Sequence, residues 1–160
     1  MAHKIRIACV GTGKKLPRLV GALLDKKIIP PENIFLSRKD GPEIECFEAS
    51  GCKLLSDDIN TVIKGEIIVI SAPGSELAAV LAPFCGCTGA RYVIALSSKA
   101  TLDYVSERLA KGTQIMAVQT VTDADDEITG TVRYTKGFAE YMKQPCREVV
   151  GALCTELTEE

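Results

Sequence analysis

The stretch Ile5-Arg6-Ile7-Ala8-Cys9-Val10-Gly11-Thr12-Gly13 constrains this chain more than any other. It reads as a buried strand that ends in a glycine-rich turn. The turn feeds a helix whose apolar stripe is Leu16, Leu19, Val20, Leu23 and Leu24, at i, i+3, i+4, i+7 and i+8. That order opens a dinucleotide-binding βαβ unit. Gly11 permits the tight turn, and Gly13 lets the backbone approach a pyrophosphate. Free N–H groups at the helix start would then face the anion. The full fingerprint has a small residue where this chain has Leu16, and Pro17 follows it. A residue before proline is biased away from helical angles, so the helix is expected to begin at Pro17, with a longer phosphate loop before it. The competing reading is a strand-to-helix turn whose glycines serve geometry alone.

The rest of the chain alternates strand and helix. After a two-proline turn at Ile28-Ile29-Pro30-Pro31-Glu32-Asn33, a second strand runs over Ile34-Phe35-Leu36-Ser37. Residues 42–50 read as a helix stopped by Gly51, and Cys52-Lys53-Leu54-Leu55 as a short third strand. Ser56 is a plausible N-cap for a third helix reaching Lys64. The β-branched run Glu66-Ile67-Ile68-Val69-Ile70-Ser71 fits a parallel strand covered on both faces. A helix over 75–83, a strand over 91–96, a helix over 101–110 and a strand over 114–119 complete the alternation. This predicts an α/β fold, a doubly wound and mainly parallel Rossmann-like sheet. From Thr120 the pattern changes. An acidic loop spans 123–127, a late edge strand 127–134 and a terminal helix 138–157, which Pro145 should kink or split.

At 160 residues one domain is expected, with a core over 1–135 and a terminal helical segment over 136–160. A chain of this size buries enough surface to need neither disulfide nor metal. A net charge of −2 argues against a nucleic-acid partner held by phosphate contacts. No apolar run reaches the ~20 residues of a membrane span. Met1-Ala2-His3-Lys4 leads straight into a strand, which leaves no room for a signal peptide. There are seven cysteines and one histidine, His3, so no zinc spacing can be assembled and no metal is expected. Cys9 and Cys154 read as small buried apolar residues. Cys85-Gly86-Cys87 is the close pair, either reactive or ordinary reduced thiols of a cytoplasmic protein.

The second strand ends in Ser37-Arg38-Lys39. NAD-binding proteins usually carry an acid there for the ribose 2′-hydroxyl. Two cations in its place would attract a 2′-phosphate, which favours NADP(H) over NAD(H). An ordinary solvated basic turn is the competing reading. Asp57-Asp58 reads as a helix N-terminus, and Asp123, Asp125 and Asp126 as a solvated loop. No Ser-His-Asp or Cys-His set can be built on His3, so no catalytic residue is assigned.

Four segments together resemble the amino-terminal domain of pyrroline-5-carboxylate reductase. They are Ile7 to Gly13, the two-proline turn Ile28 to Ile34 followed by Ser37-Arg38, Ile68-Val69-Ile70-Ser71-Ala72-Pro73, and Met116-Ala117-Val118-Gln119-Thr120. The resemblance spans residues 5 to about 135. It implies an NADP-linked reductase domain acting on a cyclic imine in proline synthesis. Its implied cofactor residues are Gly11, Thr12, Gly13 and Lys14 at the pyrophosphate and Ser37, Arg38 and Lys39 at the 2′-phosphate. Ala72 and Pro73 would lie beside the cofactor, and Gln119 and Thr120 beside the nicotinamide. The departures are specific. The family's lysine falls on Ala72, its glutamine on Gly74, its asparagine on Gln119, its proline on Val118 and a glycine on Lys99. Family members continue into a helical domain that pairs subunits and completes the imine pocket. Here another chain, or a homodimer through the terminal helix, would have to supply that wall. The alternative is a non-catalytic Rossmann protein with a regulatory or scaffolding role, with or without nucleotide binding.

Overall fold

The computed structural model describes residues 5–89 and 91–160. His3 therefore lies outside the described residues. The predicted alternation is present. The elements are β1 (Ile7–Gly11), α1 (Lys15–Asp25), β2 (Ile34–Ser37), α2 (Pro42–Glu45), β3 (Lys53–Leu55), α3 (Asp58–Val62) and β4 (Ile67–Ser71). There follow α4 (Leu77–Leu81), β5 (Tyr92–Ser97), α5 (Leu102–Ser106), β6 (Gln114–Thr122), β7 (Ile128–Tyr134), α6 (Glu140–Leu153) and β8 (Glu156–Glu159). The strands form one eight-stranded sheet in the order β3-β2-β1-β4-β5-β6-β7-β8. The first six run parallel. The fold is Rossmann-like α/β, and strand order reverses between β1 and β4. That switch point opens a crevice beyond the strand carboxyl ends.

Strand side chains alternate between two cores, as the two-residue period requires. Ile7 and Cys9 of β1 and Ile67 and Val69 of β4 face one side, under α1 and α6. Val10, Ile68 and Ile70 face the other, with Val62, Leu77, Leu81 and Val105 from α3, α4 and α5. Both faces of the central strands are dry, which is why they are β-branched runs rather than alternating ones.

Several local expectations are corrected. Helix α1 begins at Lys15, not Pro17. Leu16 is buried in the core, and that anchor outweighs the mild pre-proline bias. Asp57, not Ser56, caps α3, accepting from the Asn60 N–H at 2.8 Å. The helix expected over 42–50 is present and stops at Gly51, but its second half, Cys46–Ser50, is 3₁₀. That over 75–83 is α over Leu77–Leu81 and 3₁₀ over Ala82–Phe84, and that over 101–110 shortens to Leu102–Ser106. Strand β7 pairs antiparallel with β6, but it is not an edge, because β8 adds outside it in parallel. Leu157 therefore sits in a strand. Pro145 does not split α6 into two elements. It forfeits one bond, to the Tyr141 carbonyl, and is itself buried, as are Met142, Cys146, Val149 and Leu153 of the same helix. The apolar face of α6 packs on the chain's own core, leaving Tyr141 75% exposed. No described helix is long and apolar enough to cross a membrane.

Candidate functional site

The glycine turn sits at the switch point and is obligatory there. Gly11 has φ of 135°, and a Cβ on it would stand 1.8 Å from the Ser71 carbonyl oxygen of β4. Gly13 has φ of 86° and meets Pro73. Two turn amides are already used. Thr12 N–H donates to the Ser71 carbonyl at 2.9 Å, and Gly11 N–H donates to Asp40 Oδ2 at 3.2 Å. The amides of Gly13, Lys14 and Lys15 meet no protein acceptor among the described residues. Pro17, inside the first turn, has no N–H to offer.

The start of α1 is electrostatically inverted. It has no side-chain cap and no acid in its first turn. Instead Lys14, Lys15 and Arg18 line a 610 Å³ cavity with Gly13, Pro73, Thr122, Asp126 and Ile128. Cations at a helix N-terminus oppose the dipole by about 0.3–1 kcal/mol each. An anion in the cavity would reverse the sign of that cost and satisfy the open amides. Lys15 and Arg18, three residues apart, share the face opposite the apolar stripe. The far wall is the β6–β7 hairpin, whose tip is held by Asp123 Oδ1 accepting from Asp125 and Glu127 N–H at 2.9 and 3.0 Å.

A second cavity of 390 Å³ lies on the β2 side of the turn. It is lined by Gly11, Thr12, Gly13, Lys14, Lys39, Asp40, Gly41, Pro42 and Glu43. Gly13 and Lys14 belong to both cavities, so an extended ligand would cross the turn between them. A larger apolar groove of 760 Å³, lined by Leu24, Ile29, Pro30 and Phe47, flanks the other end of α1.

The residues at the end of β2 separate. Lys39 lines the second cavity. Ser37 is buried, and its Oγ accepts from the Lys39 N–H at 3.2 Å. Arg38 lines neither cavity. Its guanidinium forks onto Glu48, Nη1 to Oε1 at 3.2 Å and Nη2 to Oε2 at 2.6 Å. That hydrogen bond and charge raise Arg38 and hold Glu48 below the usual carboxylate range. An acid follows these residues: Asp40, at the end of the 3₁₀ turn after β2, lines the second cavity. Burial, then the adjoining Asp58 carboxyl, push Asp40 up to about 8, opposed by the Gly11 N–H.

On the β4–β6 side, Pro73 lines the first cavity, while Ala72 is buried with its N–H on the Leu96 carbonyl. Gln119 Nε2 donates to the Ser98 carbonyl at 3.0 Å, and Thr120 is buried with its Oγ1 unpartnered. Neither lines the two cavities; Thr122, two residues on, does. Lys15, Arg18, Asp40, Thr122 and Asp126 were missed in the sequence. Lys15 and Arg18 carried a signal, their spacing beside the glycine turn. The others depend on which loops meet. Among the described residues no three His, Cys, Asp or Glu side chains gather as a metal group. All seven cysteines are unpaired thiols. Cys85 is exposed and Cys87 half-buried, in the connection that leads into the start of β5.

No protein-family model matches the sequence, and no curated protein matches it. Solved structures do match in fold. A pyrroline-5-carboxylate reductase from Coxiella burnetii superposes with a TM-score of 0.81 at 13% identity, over 98% of this chain and 58% of that one. Plasmodium falciparum pyrroline carboxylate reductase, solved with NADP bound, gives 0.76 at 15% identity, over 99% and 58%. A Streptomyces aurantiacus imine reductase gives 0.64 at 16%, over 97% and 55%. The chain thus spans a little over half the length of these proteins, and over that span its fold resembles that of the pyrroline-5-carboxylate reductases.

Proposed function

We propose that this chain binds a nicotinamide dinucleotide across the glycine turn, as the cofactor domain of a reductase acting on a cyclic imine. One observation carries the reading: the uncapped, cation-lined start of α1, with open amides at Gly13, Lys14 and Lys15, at the switch point of the sheet. The residues fit the group. The amides of Gly13, Lys14 and Lys15 are open, and the two cavities meet at Gly13 and Lys14. The fold's likeness to imine-reducing enzymes, one of them solved with NADP, supports the substrate class and the cofactor. When bound, the cofactor supplies hydride, and the protein supplies binding and orientation. Here Lys14, Lys15 and Arg18 would neutralise the pyrophosphate. Lys39 and Lys14 would favour a 2′-phosphate over a bare ribose. The reading includes a reducing, cytoplasmic setting, which seven unpaired thiols suit. It also includes a second copy of the chain, met on the exposed Tyr141 side of α6, as the remaining wall of the imine pocket.

Binding without turnover is a second reading. Gln119 and Thr120, expected beside the nicotinamide, line neither cavity. Thermal unfolding with NADPH and NADH tests both readings. A ligand at 100 times its dissociation constant adds roughly 2.7 kcal/mol. For a chain of this size that raises Tm by about 5–10 °C. A flat Tm with both cofactors overturns the proposal. A shift without consumption of NADPH on pyrroline-5-carboxylate leaves the binder and removes the reductase.

A further inference from the structure

The loop after β2 brings an acid to the nucleotide cavity and sets a second acid against it. Asp40 lines the 390 Å³ cavity beside Gly11 and Lys39. Its Oδ2 accepts from the Gly11 N–H at 3.2 Å. The Asp58 carboxyl, on the first residue of α3, is within side-chain hydrogen-bonding reach of it. Helix α3 lies against β2: the Thr61 hydroxyl donates to the Asp57 carbonyl at 2.7 Å, and its Oγ1 sits 3.3 Å from the Leu36 carbonyl. Asp58 Oδ1 is buried and has no donor on it. Two facing carboxylates cannot satisfy that atom; one proton held between them does.

Resting on the dinucleotide reading above, we propose that Asp40 and Asp58 share one proton at the adenosine ribose. This pair, rather than Arg38, decides whether the ribose is accepted with or without a 2′-phosphate. The position just past the second strand, beside the glycine turn, is where dinucleotide folds seat that ribose. Arg38 is committed to Glu48 and lines neither cavity. The proton resides on Asp40, whose raised affinity for it follows from burial and from its neighbour.

The other groups around Asp40 are few. Cys9 of β1 lies close enough for Asp40 to help hold its thiol protonated. Asp57 is occupied capping α3. Lys14, Lys39 and Glu43 share the cavity wall. With its proton, the pair carries one negative charge, which the two lysines outweigh, and a 2′-phosphate is admitted. Without it, the pair carries two, beside Glu43. The phosphate is then repelled, while a 2′-hydroxyl can donate to the Asp40 carboxylate.

The test uses 2′,5′-ADP and 5′-ADP as probes, with NADPH and NADH beside them. Dissociation constants are measured at fixed ionic strength at about pH 7, 8 and 9, where the 2′-phosphate is already ionised. The wild-type chain should lose about tenfold of its relative affinity for the 2′-phosphorylated probes over that range, the equivalent of one unit of coupling. Asp58→Asn removes the neighbour's share of the raised affinity and keeps that of burial, so its fall should move to lower pH, while Asp40→Asn leaves nothing at that position to ionise and should show a flat ratio. The Asp58→Asn profile stands alone if Asp40→Asn misfolds. A flat wild-type ratio with both probes bound, or an Asp58→Asn ratio that falls over the same pH range as the wild type, overturns the carboxyl pair and leaves dinucleotide binding intact. Failure of every probe to bind at any pH removes the dinucleotide reading itself, and this proposal with it.

Discussion

Asp40 matters through two contacts that local sequence cannot show. Its partners are the Gly11 amide, 29 residues earlier, and Asp58 across a helix and a strand. Gly11 and Gly13 were legible, because a turn between strand and helix has few solutions without positive φ. Arg38 was legible as a charge, but not as a charge already answered by Glu48. The Asp40 carboxyl also sets a pH dependence of stability. Its pKa in the folded chain is raised to about 8 from 3.8. The folded chain therefore holds more protons than the unfolded one between those values, and stability falls as pH rises through that window, then levels off. Asp40→Asn keeps an acceptor for the Gly11 N–H and offers Asp58 a donor. It should stabilise the chain at about pH 8 by about 1–2 kcal/mol, after discounting for partial exposure. The gain should vanish near pH 4. Urea unfolding at the two pH values measures it, and equal stabilities at pH 8 count against the raised carboxyl.

At the level of elements, the charges at the start of α1 oppose its own dipole. Its inner face, Leu16, Leu19, Val20 and Leu23, is buried as the 3.6-residue period required. Its first turn carries lysines where helix stability favours acids. Lys15→Glu should therefore stabilise the unliganded chain by about 0.3–1 kcal/mol. The same change should remove most of the Tm rise given by a nucleotide. A variant that is less stable, or one that keeps the full rise, would show that the anion seat lies elsewhere. The early start of this helix was misread for a physical reason. The pre-proline restriction is a bias of local angles, and burying Leu16 outweighs it. Pro145 gives the same lesson in α6, where burial compensates for a missing bond.

For the whole molecule, the last strand closes the sheet. Thr155 N–H donates to the Ile128 carbonyl at 2.8 Å and Glu160 N–H to the Val132 carbonyl at 3.0 Å. Glu159 pairs with Arg147 of α6, and Leu157 covers Gly130. Ending the chain at Cys154 should cost about 1–3 kcal/mol. It should also expose the β7 edge to pairing with other copies. Light scattering against concentration reads the second effect, and a monomer at all concentrations would contradict it. Taken alone, the residues determined the alternating parallel sheet, its two dry cores and the glycine turn at the switch point. Those features follow from periodicity and backbone sterics, which act within a few residues. Tertiary structure alone decided that residues 156–159 become a strand, that Arg38 turns to Glu48, and that two aspartates meet beside the glycine turn. A strand needs another strand's open edge, and an acid's proton affinity depends on its neighbours. Folding brings both from distant parts of the chain.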